Sequence, residues 1–289
     1  MPSEIVETCR VPSSGIELGY VSRGSGPLVI FLHGFPDTYR GFLPILDDVA
    51  AAGYRAVAMA MRGYAPSGLA ADGDYRVAAL ASDVVGLADA LGAERFAVVG
   101  HDWGAVTAYA VAQLAPQRVT RLVTAAVPHT GHFLLRMRPR QLRRSHYMLR
   151  FQVPRWPEWR IPRDDYRWLE QLIRDWSPSW RFGEAELRPL KQNFSEPGRL
   201  PAALAYYRQM AASLLAPSSR YLVYPPVTTP TRMIYGLQDG CIGAEMFQGQ
   251  QARFSAGLDL VALEDAGHFM QWEQPERFAQ LVIEFLQKA

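Results

Sequence analysis

The segment Leu28 to Leu32, Leu-Val-Ile-Phe-Leu, is apolar at every position. A strand with one face in water would alternate apolar and polar residues. This run therefore reads as a strand buried on both faces, which is the mark of a parallel sheet covered by helices on either side. Phe96 to Val99 repeats the pattern, and Tyr54 to Ala60 and Val119 to Val127 read as further strands. Helical apolar spacing lies between them: Tyr39 to Ala52, stopped by Gly53, and Val77 to Leu91, stopped by Gly92. Trp103 to Leu114 is a helix rich in Ala, able to lie close to a sheet. Two short strands, Val6 to Val11 and Ile16 to Arg23, are expected around a Pro12-Ser13-Ser14-Gly15 turn.

Near residue 128 this rhythm stops. From Pro128 to Pro226 the chain is rich in Arg, Trp, Tyr and Pro, and helical stretches replace strands. After Pro230 the alternation resumes with a strand Thr231 to Tyr235, a helix Ala244 to Phe254, a strand Leu258 to Leu263 and a helix Pro275 to Lys288. The expectation is an α/β fold with a mostly parallel eight-stranded sheet. Residues 1–127 and 228–289 would form its core and residues 128–227 an inserted helical cap.

A net charge of +2, from 30 basic and 28 acidic residues, gives no support for a nucleic-acid partner. Cys9 and Cys241 are far apart, with neither a disulfide framework nor zinc-ligand spacing, which suits a reducing cytoplasm. No basic start leads into an apolar run, so no signal peptide is expected. Apolar stretches are well short of the ~20 residues of a membrane helix, so no membrane insertion is expected. The basic run Arg136, Arg138, Arg140, Arg143 and Arg144 reads as a solvated helix face whose Arg stems cover apolar surface. Trp156, Trp159, Trp168, Trp176 and Trp180 read as cap core, some of them near a pocket.

Gly100-His101-Asp102-Trp103-Gly104 stands between a buried strand and the Ala-rich helix. Small residues two before and two after a central residue permit the tight strand-to-helix turn of a nucleophile elbow. The residue at its tip is raised above the sheet at a helix N-terminus. Serine is usual there and suits acyl transfer. A carboxylate is already ionised at neutral pH, with an ordinary pKa of about 3.9, and can displace a leaving group at saturated carbon to form an ester. Asp102 could also be a plain helix N-cap; its partners elsewhere in the chain argue for more.

His268, in Ala266-Gly267-His268-Phe269, follows the last strand, and Asp239 follows the strand Thr231 to Tyr235. Nucleophile, acid, histidine is the chain order of the α/β-hydrolase arrangement. His33-Gly34-Phe35-Pro36 follows Leu28 to Leu32, where that arrangement takes one oxyanion N–H; the other comes from the residue after the nucleophile. These would be the backbone N–H groups of Phe35 and Trp103.

With these motifs the sequence resembles the epoxide hydrolases of the α/β-hydrolase superfamily, from about Gly15 to the C-terminus. The resemblance rests on His33-Gly34-Phe35-Pro36, Arg62-Gly63-Tyr64, the Asp102 elbow, Asp239 and Gly267-His268. It implies two cap tyrosines that hydrogen-bond the epoxide oxygen. The first matches Tyr147, in Tyr-Met-Leu-Arg-Phe-Gln-Val-Pro, and the second matches Tyr207, before Arg208. Tyr206 is an alternative to Tyr207, since helix neighbours point about 100° apart. His33, Pro36, Phe151, Tyr206 and Phe269 are candidates for the pocket wall. The implied substrate is a small-molecule epoxide, opened on Asp102 and released as a diol by water that a neutral His268 activates, with no metal and no cofactor. A monomer or homodimer would serve.

Some residues depart from the family pattern: Ala60 and Met61 precede Arg62, and His146 stands where an aromatic often precedes the first tyrosine. A haloalkane dehalogenase also uses an aspartate elbow, but typically has Asn at the place of Phe35 and no need of phenols. A non-catalytic ligand-binding protein of the same fold is the alternative from a different class.

Overall fold

The computed structural model describes residues 6–11 and 15–288; the expected Pro12-Ser13-Ser14 turn lies outside the described residues. Eight strands form one sheet: β1 (Glu7–Arg10), β2 (Glu17–Arg23), β3 (Leu28–Leu32), β4 (Arg55–Met59), β5 (Phe96–His101), β6 (Val119–Ala125), β7 (Thr231–Gly236) and β8 (Leu258–Leu263). Their order across the sheet is β1-β2-β4-β3-β5-β6-β7-β8. β2 is antiparallel to both β1 and β4, and the other neighbours are parallel.

The all-apolar strands are explained by the two layers that cover the sheet. Successive side chains of a strand point to opposite faces. Leu28, Ile30 and Leu32 join one core with Val57, Met59, Phe96 and Val98, while Val29 and Phe31 join the other with Ala56, Ala58, Ala97 and Val99. The first core is closed by the helices Val77–Ala90 and Trp103–Leu114, the second by Leu43–Ala51 and Pro275–Leu286.

Between β6 and β7 the chain leaves the sheet for nine consecutive short helices, from Thr130–Leu135 to Pro217–Val223. β6 stops at Ala125, two residues before the expected Val127, because Ala126 takes a positive φ of 64° that no strand can continue. The expected helix Ala244 to Phe254 is instead two 3-10 turns, Ala244–Phe247 and Gln251–Arg253, separated by Gly249 at φ 73°. Tyr39 to Ala52 begins as a 3-10 turn, Tyr39–Phe42, and becomes an α-helix where Pro44 enters its first turn. Among the described residues no helix is long and apolar enough to cross a membrane.

Loops after β3, β5, β7 and β8 leave the same edge of the parallel sheet, where ligand crevices of open α/β sheets form. Backbone segments approach one another closely there. A Cβ on Gly104 would lie 1.9 Å from the Leu32 carbonyl oxygen, and one on Gly100 would lie 2.2 Å from that of Gly104. Both obstacles are backbone, so the helix after β5 can sit this close to β3 only with glycine at 104, and can turn back this tightly on β5 only with glycine at 100. Gly104→Ala is expected to destabilise the fold by about 1–3 kcal/mol or more, read as a lower urea midpoint; an unchanged midpoint would show that the elbow yields without cost.

Candidate active site

The turn after β5 places Asp102 at φ 52°, ψ −117°, a backbone conformation that L-residues rarely adopt. Its backbone is held from both sides. Asp102 N–H donates to Ala125 O at 3.2 Å, and Ala105 and Val106 N–H donate to Asp102 O at 2.9 and 3.1 Å. The side chain is therefore raised off the sheet edge at the start of the helix Trp103–Leu114. Its Oδ1 accepts the backbone N–H of Phe35 at 2.8 Å. Gly34 permits this approach, since a Cβ there would lie 2.4 Å from Asp102 Cβ.

The other oxygen, Oδ2, stands 3.5 Å from His268 Nε2. On the far side of the ring, His268 Nδ1–H donates to Asp239 Oδ2 at 2.9 Å. Asp239 is fixed in turn by the loop after β7, its Oδ1 accepting the N–H groups of Cys241 at 2.6 Å and Ile242 at 2.9 Å. Burial alone would push the imidazole down. The charges and hydrogen bonds of Asp239 and Asp102 outweigh it and push His268 up to about 10. In the free site, between two carboxylates, the ring is thus held toward its imidazolium form; the neutral ring expected from the sequence belongs to the step in which water is activated.

Above Asp102 lies a cavity with about 120 Å³ of space open to the centre of a water-sized molecule. Its polar groups include Asp102, Tyr147, Tyr207, Thr130, Ser145 and Ser213, and the rest of the wall is almost wholly apolar, with Phe133, Leu134, Met137 and Met148 from the insertion. Tyr147 and Tyr207 are buried with ring centroids 5.9 Å apart. Burial pushes both phenols well above the usual value, with a smaller push from Asp102, so both stay protonated. They differ in partners. Tyr147 Oη lies 3.5 Å from Cys241 Sγ, whereas the buried Tyr207 hydroxyl has only the Trp103 side chain beside it, without a well-formed hydrogen bond.

The choice between the neighbouring tyrosines follows from their hydroxyls. Tyr206 donates to the Arg62 carbonyl at 2.8 Å and points to the core, a helical step away from Tyr207. Arg208 fixes this helix by forking onto Glu158 at 2.6 and 3.0 Å and donating to Phe151 O at 2.9 Å. That contact ties the helices of the two cavity tyrosines together.

None of the five pocket-wall candidates lines the main cavity. Tyr206 is held away as described. His33 is buried beneath the loop, its Nδ1–H donating to Gly34 O and its Nε2 accepting Met61 N–H, both at 3.1 Å, and burial holds it neutral, down to about 4. Phe151 packs behind the tyrosines, 5.0 Å from Tyr207 and 5.3 Å from Phe35 between ring centroids. Pro36 and Phe269 line a separate, smaller hollow beside Asp37 and Trp180.

Several supporting groups carry no motif that sequence reading could have used. The Trp176 carbonyl, at the end of the helix Arg163–Trp176, accepts the N–H groups of both Gly240 and His268 at 3.1 Å. Ser177 Oγ accepts Phe269 N–H at 2.9 Å and donates to Glu273 at 2.7 Å. One turn of the insertion thus clamps the loops of Asp239 and His268 together. His101, inside the elbow motif, donates from Nε2 to the His268 carbonyl at 2.8 Å, and burial holds its ring neutral, down to about 3. Arg62 is buried in a fork on Asp83 at 2.5 and 2.6 Å, so Arg62-Gly63-Tyr64 is structural.

Asp239, Cys241 and His268 offer oxygen, sulfur and nitrogen atoms within 4.8 Å of one another, a spacing that could hold a metal ion. Their electron pairs are otherwise committed. Both oxygens of Asp239 accept hydrogen bonds, His268 Nδ1 carries the proton donated to Asp239, and burial pushes the Cys241 thiol well up, away from the thiolate a metal would need. This donor set fits a hydrogen-bonded relay rather than a metal centre.

Comparison with known proteins agrees with this fold. A family model described as the alpha/beta hydrolase fold matches residues 27–275. The chain is 30% identical over 284 residues to the AB hydrolase superfamily protein YfhM of Bacillus subtilis, covering 96% of each. It is 30% identical over 290 residues to epoxide hydrolase 4 of Mus musculus, covering 96% of this chain and 79% of that one. The crystal structure of Bacillus megaterium epoxide hydrolase in complex with an inhibitor superimposes with a TM-score of 0.84 at 27% identity, covering 98% of this chain and 100% of that one. The eight-stranded sheet, its inserted helices and these relatives agree: the chain belongs to the α/β-hydrolase fold family, among the epoxide hydrolases.

Proposed function

We propose that this protein hydrolyses a neutral epoxide to a vicinal diol through an alkyl ester on Asp102, with residues 128–227 as the cap over the site. The observation that carries the reading is that two protonated phenols, Tyr147 and Tyr207, share one apolar cavity with the Asp102 carboxylate. A halide leaving group would want N–H donors. At the position of the amide that dehalogenases carry stands Phe35, its ring 5.4 Å from that of Tyr207. A purely binding protein would not need the complete Asp239–His268–Asp102 relay. The free thiols Cys9 and Cys241 suit work in a reducing compartment such as the cytoplasm.

The hydrogen bond from Phe35 N–H reserves Oδ1 as the future carbonyl oxygen, so Oδ2 is the attacking atom. Its electron pair forms a bond to one epoxide carbon as the C–O bond breaks toward oxygen. The leaving alkoxide takes a proton from one phenol, and the other phenol hydrogen-bonds the same oxygen. Alkylation removes the negative charge of Asp102, and with it much of what held the proton on His268. That proton returns to the phenolate, leaving His268 neutral. In the second step His268 takes a proton from water, and the oxygen attacks Cγ of the ester. The N–H groups of Phe35 and Trp103 hold the oxyanion; each such donor is worth roughly 2.7–4 kcal/mol in a transition state. On collapse the bond from Cγ to Oδ2 breaks, the departing oxygen takes the second proton of the attacking water, and the diol leaves with the Asp102 carboxylate restored beside an imidazolium. The protons balance, with no cofactor required.

Three outcomes test this scheme. His268→Gln should trap the ester, seen by mass spectrometry as an adduct of substrate mass lost in Asp102→Ala; a confirmed substrate that leaves no adduct would remove the two-step scheme. Tyr147→Phe and Tyr207→Phe should each slow single-turnover ring opening, and the double variant by about 10²–10⁴-fold, at unchanged melting temperature. Bromide release from bromoalkanes without diol formation would instead assign a dehalogenase.

The pH dependence has a definite sign. Because the free enzyme works as the Asp102 carboxylate and His268 imidazolium, kcat/KM should hold through neutral pH and fall as pH rises toward about 10, where His268 loses its proton. The resting state sets no acid limb near 6.5, where an isolated histidine titrates. In NMR titration, Asp102→Asn should lower the pKa of His268, as alkylation does. An unchanged value would mean that Asp102 does not control the base.

A further inference from the structure

Across residues 131–157 the chain carries seven arginines and no acidic residue, a charge of +7 within a protein whose total is +2, so the remainder carries +2 − 7 = −5. The sequence reading let arginine stems cover the apolar surface of this segment. Instead Leu135, Leu142 and Leu149 stand 72%, 57% and 73% exposed, one on each of three successive short helices, Thr130–Leu135, Pro139–Arg144 and His146–Gln152. Arg136, Arg138, Arg140, Arg143, Arg150 and Arg155 are exposed beside them, and among the described residues none of the six makes an ion pair. The basic face is therefore not neutralised from within the molecule.

The inner side of the same segment is the cavity wall. Phe133, Leu134, Met137, Ser145 and Met148 line it, and all five are only half-buried, so the exposed leucines run on into the apolar chamber above Asp102. Leu215, 74% exposed, stands next to the lining residue Leu214.

We propose that this face of the cap docks on an anionic lipid bilayer, without spanning it, and takes lipophilic epoxides from the bilayer into the cavity. The six arginines that make no ion pair complement a surface of phosphate headgroups, and exposed leucines among them enter the boundary between headgroups and acyl chains. A two-fold contact between copies of this chain would bring two such faces together, six unpaired arginines against six, which opposes self-association. The docking stands on the surface alone. The delivery of substrate rests on the epoxide reading above.

Co-sedimentation of the full chain with vesicles tests the docking. Binding should be about tenfold or more stronger to vesicles with about one-third phosphatidylglycerol than to phosphatidylcholine alone at about 0.05 M salt, and lost at about 0.5 M. The triple variant Arg138→Glu, Arg140→Glu, Arg143→Glu should lose the preference yet turn over a short, water-soluble epoxide at the wild-type rate. Leu142→Ser with Leu149→Ser, which leaves the charges in place, should weaken binding but keep its salt dependence. Equal binding to both vesicle types, or full binding by the triple variant, overturns the proposal. So does a dimer in sedimentation velocity that the leucine variant dissolves, with no vesicle binding; that result assigns the face to a second copy. Vesicle binding by a protein that opens no epoxide keeps the docking and removes the reaction, whereas epoxide turnover without vesicle binding does the reverse.

Discussion

A buried imidazole between two carboxylates is the interaction on which the site depends. His268 has Asp239 at 2.9 Å on one side and Asp102 at 3.5 Å on the other. Three buried ionisable groups in one place would be costly unless each were paired and hydrogen-bonded. Here the pairing is nearly complete. Asp239 takes two backbone N–H groups besides the ring, and Asp102 takes that of Phe35. Only the long contact to Asp102 is slack, and that carboxylate is the one that leaves the charge balance in the proposed reaction. Forming the ester then creates the base that breaks it.

Much of the surrounding fold serves to hold these groups still. The glycines at 100 and 104 let the helix after β5 turn back on that strand and press on β3, which raises Asp102 in a conformation that its own propensity opposes. The loops carrying Asp239 and His268 are clamped by the Trp176 carbonyl and by Ser177, both from the insertion. The inserted helices are thus tied to the sheet at the relay itself as well as at the cavity. The contrast between Tyr147, beside the Cys241 thiol, and Tyr207, beside the Trp103 side chain, makes the two phenols chemically unequal.

The apolar cavity and the charged outer face of the cap are two sides of the same short helices. With alternating burial along residues 131–149, the inner side chains form the chamber wall, while the outer ones present leucine and arginine to the surroundings. A wall so poor in polar groups favours substrates that dissolve poorly in water, and such molecules accumulate in lipid.

Local pattern was enough to specify the sheet. Runs such as Leu28–Leu32 have no face for water, so helices must cover both sides, and the Gly-x-Asp-x-Gly spacing allows a single sharp turn. The chain order of Asp102, Asp239 and His268 likewise followed from where each stands relative to a strand. Burial and hydrogen-bond partners are not local. Whether Tyr206 or Tyr207 faces the cavity turned on the Arg62 carbonyl, 144 residues away in the chain. The clamp by Trp176, the neutral structural role of His33, the charge on His268 and the retreat of Phe151 behind the tyrosines arise in the same way, from groups brought together by folding. A sequence states which side chains can do chemistry; the field and the contacts that decide which of them do it exist only once distant segments meet.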